Sequence, residues 1–164
     1  MSRNVTTPQT VIEGTGIIGK GTLKGNFEQT PMELFDYVQL DLISHTDMVV
    51  YVKLLQFYNV DLGYAYPTVP QLMFHTNVGS KATIHRSIKT LEDVGLIQKA
   101  RGSKGNNIYE VYKPLDKSVL YKRVPAKVTK LKEVEAKLIK TAVSDKERFT
   151  KYKMDKQEQQ SDTL

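Results

Sequence analysis

The sequence predicts a mainly helical fold with a small β-hairpin. Apolar residues recur at helical spacing in three central segments, and two short β-type segments then flank a basic, glycine-containing loop. With 164 residues, 40% of them hydrophobic, the chain can form one compact core with appendages. We place an arm at residues 1–43, the three helices and hairpin at 44–113, and a basic C-terminal helix with a flexible tail at 114–164.

The N-terminal arm is rich in Gly and Thr. Short β-type patches at residues 16–20 and 22–24 are compatible with either an irregular arm or a small hairpin. Residues 32–43 mix apolar and acidic side chains without a clear period. A helix and a strand therefore both remain open for that last segment.

The first two central helices are marked by their caps. Apolar residues at helical spacing predict a helix over residues 47–58, capped by Ser44 or Thr46. A stretch with Gly and Pro then breaks the helix. Thr68 is predicted to cap a short second helix that ends near His75.

The third helix is predicted over residues 81–94. Ser80 is suited to cap its start, and Gly95 to end it. Its buried stripe, spaced by four and three residues, consists of Ile84, Ile88 and Leu91. The opposite face, at 100° per residue, consists of Ala82, Arg86, Lys89 and Asp93. The exposed face is therefore mostly basic.

A basic loop over residues 101–107 joins the two predicted strands, residues 96–100 and 108–112. The loop contains Arg and Lys and no acidic residue, and its glycines permit a close approach to a nucleic-acid backbone. The whole chain carries a net charge of +6, with the excess in its central and C-terminal parts, which suits a polyanionic partner.

This combination predicts binding to duplex DNA. Arg86 is the expected base reader, because a guanidinium can bond to guanine through two hydrogen bonds, and Ala82 could touch a thymine methyl group. The alternative is a solvated amphipathic helix beside a polar hairpin without a ligand. The residues predicted to contact DNA are Thr68, Ser80, Lys81, Ala82, Thr83, His85, Arg86, Lys89, Lys99, Arg101, Ser103, Lys104 and Asn106.

The C-terminal region predicts a helix over residues 126–149, followed by a polar tail at 151–164. Three interpretations stay open for this helix: a solvated appendage, a dimer contact, or a further surface for DNA or a partner. The residues of the predicted dimer contact are Val124, Leu131, Val134 and Leu138.

Other kinds of site are not predicted. Residues 14–19 fit the pattern G-x-G-x-x-G, but Gly21 stands where a phosphate-binding loop needs Ser or Thr, and no helix pattern follows. The chain has no Cys, and His45, His75 and His85 lack the spacing of metal ligands. We therefore expect no metal, no cofactor and no enzymatic activity. The lack of a long apolar run or signal peptide predicts a cytoplasmic protein with no membrane partner.

The central region contains the motifs Tyr66-Pro67-Thr68, Ser80-x-x-Thr83-Ile84, Leu91-Glu92-x-x-Gly95-Leu96-Ile97 and Asn107-x-Tyr109. Through these motifs residues 42–112, and most strongly residues 65–112, resemble a known family, the winged helix-turn-helix modules of Gram-positive phage, plasmid and chromosomal replication proteins and related transcriptional regulators. The resemblance implies DNA binding through residues 80–89 and the basic loop.

The function we expect is that of a sequence-specific transcriptional regulator acting as a homodimer, since one such module reads only a small site. The alternatives are an origin-binding replication initiator, a plasmid or phage maintenance protein, and a module that docks onto replication proteins.

Overall fold

The computed structural model of the protein describes residues 28–161. The β-type patches predicted in the arm, and the glycine-rich pattern at residues 14–19, lie outside the described residues. In chain order the helices and strands are α1 (Leu34–Gln39), α2 (His45–Gln56), β1 (Tyr58–Asn59), β2 (Tyr64–Ala65), α3 (Val69–Thr76), α4 (Lys81–Asp93), β3 (Ile97–Arg101), β4 (Asn107–Val111), α5 (Lys117–Arg123) and α6 (Pro125–Ser161).

The segment whose class the sequence left open forms the helix α1. Its buried residues, three positions apart, are Leu34, Tyr37, Leu40 and Ile43. This spacing keeps the apolar side chains on one side of α1 and of the turn that follows it. Of the two expected caps for α2, Ser44 is the one used: its hydroxyl accepts the N–H of Asp47, and the Asp47 carboxylate accepts the N–H of Ser44.

A tight turn joins α3 to α4. The Thr68 hydroxyl caps α3 by accepting the N–H of Gln71, as predicted. Asn77 then adopts a left-handed conformation with φ 55° and ends α3. Three residues later the Ser80 hydroxyl accepts the N–H of Thr83 and caps α4, which is also as predicted.

The start and end of α4 and its core face agree with the sequence prediction. Ile84, Ile88 and Leu91 are all buried. Gly95 has φ 75°, and the N–H of Leu96 donates to the Leu91 carbonyl at 2.9 Å. This is a Schellman motif, which favours glycine at its left-handed position. The direction in which the chain leaves α4 toward β3 is thereby fixed.

The strands form one antiparallel sheet in the order β1-β2-β4-β3. Five residue pairs join β3 and β4, from Ile97–Val111 to Arg101–Asn107. The short hairpin of β1 and β2 was not predicted, and the single pair Ala65–Tyr109 joins it to β4. Both residues of that pair are fully buried, so the hairpin anchors the sheet to the helical core.

The core includes residues on both sides of the range 44–113. The Tyr37 hydroxyl accepts the N–H of Leu115 at 3.1 Å, and Leu120 of α5 is buried in the same cluster as α1. Helix α6 packs against this core through Val128 and Leu131, and from residue 132 to residue 152 every position of α6 is exposed. None of the helices within residues 28–161 combines the length and the apolar character that crossing a membrane requires.

Candidate nucleic-acid interface

The outer face of α4 presents most of the side chains that the sequence predicts to contact DNA. The exposed predicted residues of α4 are Lys81, Ala82, His85, Arg86 and Lys89. Thr83 is half-buried, and its main-chain N–H donates to the Ser80 hydroxyl at the cap. Helix α4 thus has one apolar face in the core and one basic face in solvent.

Arg86 lies in the middle of this basic face. Its side chain makes no hydrogen bond or ion pair with any residue of the described range 28–161, although its main-chain carbonyl accepts the Thr90 hydroxyl. A guanidinium carries five N–H donors in a planar fork. All of these donors are therefore available to a ligand that approaches the outside of α4.

Lys89 differs from Arg86 because it already has a partner. Its Nζ lies 2.8 Å from Oδ1 of Asp93, one turn further along α4, and both side chains are exposed. The hydrogen bond to Asp93, and then the charge of that carboxylate, raise the pKa of Lys89. The predicted contact residue Lys89 is thus paired with an acidic residue of its own helix, as the i,i+4 spacing of Lys and Asp allows.

The strands β3 and β4 and the loop between them form a projecting hairpin, which we call the wing. In β3 only Ile97 is buried, and the four residues that follow are exposed on both faces of the strand. The loop is closed by the N–H of Gly102, which donates to the Asn106 carbonyl at 2.8 Å. Gly105 has φ 76°, a conformation that favours glycine.

Position 102 also requires glycine, because the loop leaves no room for a side chain there. A Cβ at this position would lie 2.7 Å from Oδ1 of Asn106 and 3.2 Å from Cγ2 of Ile108. The guanidinium of Arg101 donates to the Gly105 carbonyl at 3.2 Å and so braces the loop from its own base. Ser103, Lys104 and Asn106 are exposed at the tip.

One acidic side chain fixes the wing relative to α4. The N–H of Lys99 donates to Oε1 of Glu92 at 2.9 Å, which joins the last turn of α4 to the middle of β3. The Lys99 side chain itself is exposed. Glu92 was not predicted as a functional residue, although it occurs in the motif Leu91-Glu92-x-x-Gly95-Leu96-Ile97, which was a signal that could have identified it.

A cleft of about 350 Å³ separates the wing from the start of α3. It brings together three predicted contact residues, Thr68, Arg101 and Asn106. Tyr66 and Asn107 also line the cleft but were not predicted as contact residues. Both occur in the motifs that carry the family resemblance, which was the signal that could have identified them.

One family model matches part of the chain. Residues 41–97 match the family model of a helix-turn-helix domain. The chain contains a helix-turn-helix domain. The structure itself, with its small antiparallel sheet and long C-terminal helix, confirms the predicted fold class. Helix-turn-helix domains bind DNA by placing their second helix in the major groove.

A solved structure described as the N-terminal domain of a DNA binding protein is also similar. It shares 19% sequence identity, with a TM-score of 0.47, over 70% of this chain and 96% of that chain. Comparison with curated proteins gives no match.

The four residues of the predicted dimer contact lie outside the helix-turn-helix domain and divide into two groups. Val124 and Leu131 are partly buried against the core of their own chain. Val134 and Leu138 are exposed on α6, beyond the point where the helix leaves the core. Within the described residues, no three His, Asp or Glu side chains form a group that could hold a metal ion.

Proposed function

We propose that the protein is a cytoplasmic, sequence-specific binder of duplex DNA that acts as a homodimeric transcriptional regulator. The observation that carries this proposal is the exposed guanidinium of Arg86 on α4, which has no protein partner within residues 28–161. The last turn of the same helix is joined to the cation-bearing wing by the hydrogen bond from Lys99 to Glu92. A regulator that acts by occupying its DNA site needs a surface that recognises the DNA sequence. As a dimer, it presents two such surfaces to the two halves of one site.

In this proposal α4 reads base edges in the major groove. The groove is about 12 Å wide and admits a helix, whose N-terminal residues then face the bases. Arg86 would bond to a guanine, while Lys81 and His85 lie on the same exposed side and Ala82 offers a methyl contact. Loss of a bidentate Arg–guanine contact typically costs about 1–3 kcal/mol of discrimination.

The wing and the start of α3 would supply affinity without sequence preference. Lys99, Arg101 and Lys104 extend along one exposed ribbon, and charge on such a ribbon neutralises phosphates. Thr68 lies across the cleft from Arg101, so a sugar–phosphate strand held at the wing would also meet the start of α3.

Gel-shift titrations with single substitutions test these assignments. We expect Arg86→Ala to reduce the preference for the selected sequence over a scrambled one. We expect Lys104→Ala to weaken binding to both sequences similarly and to lower the salt slope of log K by about 0.9. Arg123→Ala, at an exposed position on α5, serves as the charge-matched control. Unchanged affinity after Arg86→Glu and after the double change Arg101→Glu with Lys104→Glu would contradict DNA reading by this surface.

The biological role of the protein is tested by a separate experiment that identifies the DNA it binds. Genomic fragments selected by the purified protein should map to promoters if it is a transcriptional regulator. Enrichment at replication origins would instead support an initiator, and enrichment at plasmid or phage maintenance loci would support that alternative.

A further inference from the structure

The structure has a groove of about 730 Å³ between α1, α5 and the part of α6 that leaves the core. Gln39 of α1 and Lys117 and Tyr121 of α5 line it. Helix α6 contributes the rest of the lining, which is mainly apolar and consists of Leu131, Val134, Glu135, Leu138, Ile139 and Ala142. Val134, Leu138 and Ile139 are 50%, 64% and 58% exposed, so solvent reaches the apolar side of the groove.

The two charged side chains that line the groove differ in their partners. The Nζ atom of Lys117 lies 3.7 Å from Oδ1 of Asp36 and 5.3 Å from the centre of the Tyr121 ring, so it is held between α1 and its own helix. Glu135 has no ion-pair partner within residues 28–161. The groove therefore combines an apolar wall with one unpaired carboxylate, and its complement is an apolar segment that carries a cation.

A strip of exposed side chains on α1 leads from the start of the described chain to this groove. Met32 is 71% exposed and Phe35 is 47% exposed. The N–H of Phe35 donates to the Met32 carbonyl, so the turn before α1 continues the helix backward. Met32, Phe35 and Gln39 are three and four positions apart and therefore share one side of α1. The strip thus connects the point where residue 27 joins the described chain with the groove lining at Gln39.

We infer that the groove is occupied by the N-terminal segment of the same chain, residues 1–27, through Ile17 and Ile18. These two apolar residues are adjacent and have glycine on either side, within the glycine-rich pattern of residues 14–19. Because glycine has no side chain, the segment can approach α6 closely on both sides of the pair. The isoleucine pair covers the exposed side chain of Leu138. The inference does not depend on the proposed function, since no residue that lines the groove belongs to α4 or the wing.

The segment is long enough to follow this path. Ile18 and Met32 are fourteen positions apart, and an extended chain of that length spans up to about 46 Å. The strip from Met32 to Gln39 covers only about 10 Å along α1. The segment can therefore turn back beside α1 and reach the groove. A short tether also gives an effective concentration on the order of 1 mM, which favours the chain's own segment over that of a second copy.

Charge complementarity selects the isoleucine pair over Val11 and Ile12, the other adjacent apolar pair of the segment. Lys20 follows the isoleucine pair by two positions, so it comes within reach of Glu135 when that pair enters the groove. Glu13 directly follows Val11 and Ile12 and would meet the same carboxylate as a like charge. The segment as a whole contains three cations and one acidic residue, which suits a groove with an unpaired carboxylate.

Cysteine crosslinking of the full chain tests this placement, since the chain has no Cys of its own. The pair Ile18→Cys with Leu138→Cys should form a disulfide within one chain on mild oxidation. Two matched pairs serve as controls. Thr6→Cys with Leu138→Cys moves the thiol of the segment twelve positions away, and Ile18→Cys with Val143→Cys moves the thiol of α6 to an exposed position outside the groove lining. Both controls should react roughly tenfold more slowly, because neither holds its two thiols together.

Mass spectrometry of the oxidised protein distinguishes the outcomes. A disulfide within one chain that forms fastest for Ile18→Cys with Leu138→Cys supports the inference. Equal rates for the three pairs would overturn it, because a segment that only diffuses near α6 meets both positions alike. A disulfide between two chains would overturn it as well, since a second copy would then occupy the groove.

A charge exchange in the same cysteine pair tests the contact between Lys20 and Glu135. Lys20→Glu should slow disulfide formation about threefold, because it replaces an attractive contact with a repulsive one. Adding Glu135→Lys should restore the rate. Arg3→Glu, with the same change of charge elsewhere in the segment, should leave the rate unchanged. A rate that Lys20→Glu does not alter, or that Glu135→Lys does not restore, would contradict this contact.

Discussion

Substitution of Asp93 by Asn tests whether the ion pair on α4 withholds a cation from DNA. In the structure, the ammonium group of Lys89 lies 2.8 Å from the Asp93 carboxylate, and both groups are exposed. Asn removes the negative charge but keeps the size of the side chain, so Lys89 becomes available to a phosphate. We therefore expect Asp93→Asn to bind DNA more tightly than the parent protein.

The gain can be worked out from counterion release. Each additional phosphate neutralised steepens the slope of log K against log salt by about 0.9, which corresponds to about an eightfold gain in affinity at 0.1 M salt and about a fourfold gain at 0.2 M. Fluorescence anisotropy with a labelled duplex over this salt range measures both the slope and the gain.

Lys89→Gln supplies the control for this experiment. In the parent protein it should change affinity little, and in the Asp93→Asn background it should abolish the gain. The reasoning fails if Lys89→Gln alone weakens binding as much as Lys104→Gln does, because Lys89 would then contact DNA despite its ion pair.

The remaining predictions concern stability in denaturant. Gly95→Ala should lower the free energy of unfolding by about 1–2 kcal/mol, because the φ of 75° at this position is unfavourable for a residue with a Cβ. Gly79→Ala should lower this free energy by less, because Gly79 has no positive φ and open space surrounds it. Tyr51→Phe should lower the free energy of unfolding by about 1–2 kcal/mol, because it removes a 2.8 Å hydrogen bond to the main-chain carbonyl of Tyr112. Tyr109→Phe should leave this free energy almost unchanged, because the buried Tyr109 hydroxyl has no hydrogen-bond partner within the described residues. Burial raises the pKa of Tyr51 from 10.0 to about 12, so the stability linked to this hydroxyl is complete below pH 10 and is lost as pH rises toward 12. Tyr51→Phe should flatten this part of the pH profile, and an unchanged profile would show that other groups control alkaline unfolding.

The elements that sequence reasoning identified are those set by local chemistry. Ser80 and Gly95 mark the two ends of α4 through hydrogen bonds within a few residues of each position. The apolar spacing from Ile84 to Leu91 then fixes which face is buried. These signals do not depend on the rest of the chain, and the structure agrees with them.

The β1–β2 hairpin could not be predicted in the same way. Its strands have two residues each, and its link to the sheet is the pair Ala65–Tyr109, which joins residues 44 positions apart. No local pattern encodes such a pair. The segment of α1 was ambiguous for a related reason, since its buried residues recur every three positions and continue past the helix into the turn at Leu40 and Ile43.

At the candidate interface, the exposed cations of α4 were predictable from residue type and helical spacing. The i,i+4 spacing of Lys89 and Asp93 permits an ion pair, and the structure shows that this pair forms, whereas Arg86 has no ion-pair partner within the described residues. The cleft beside Thr68 likewise depends on how the wing folds back toward α3.

The link between Glu92 and the N–H of Lys99 has a thermodynamic consequence for binding. It holds the base of the wing to α4, while the outer part of the wing has solvent on both faces and no support from the core. In the proposed complex, α4 is already ordered by its packing on the core, so its contacts with DNA would carry little entropic cost. The exposed side chains at the tip of the wing, such as Lys104, would lose conformational freedom on meeting phosphates. The helix would then contribute preorganised contacts, and the ordering of the tip would offset part of the binding free energy of the wing.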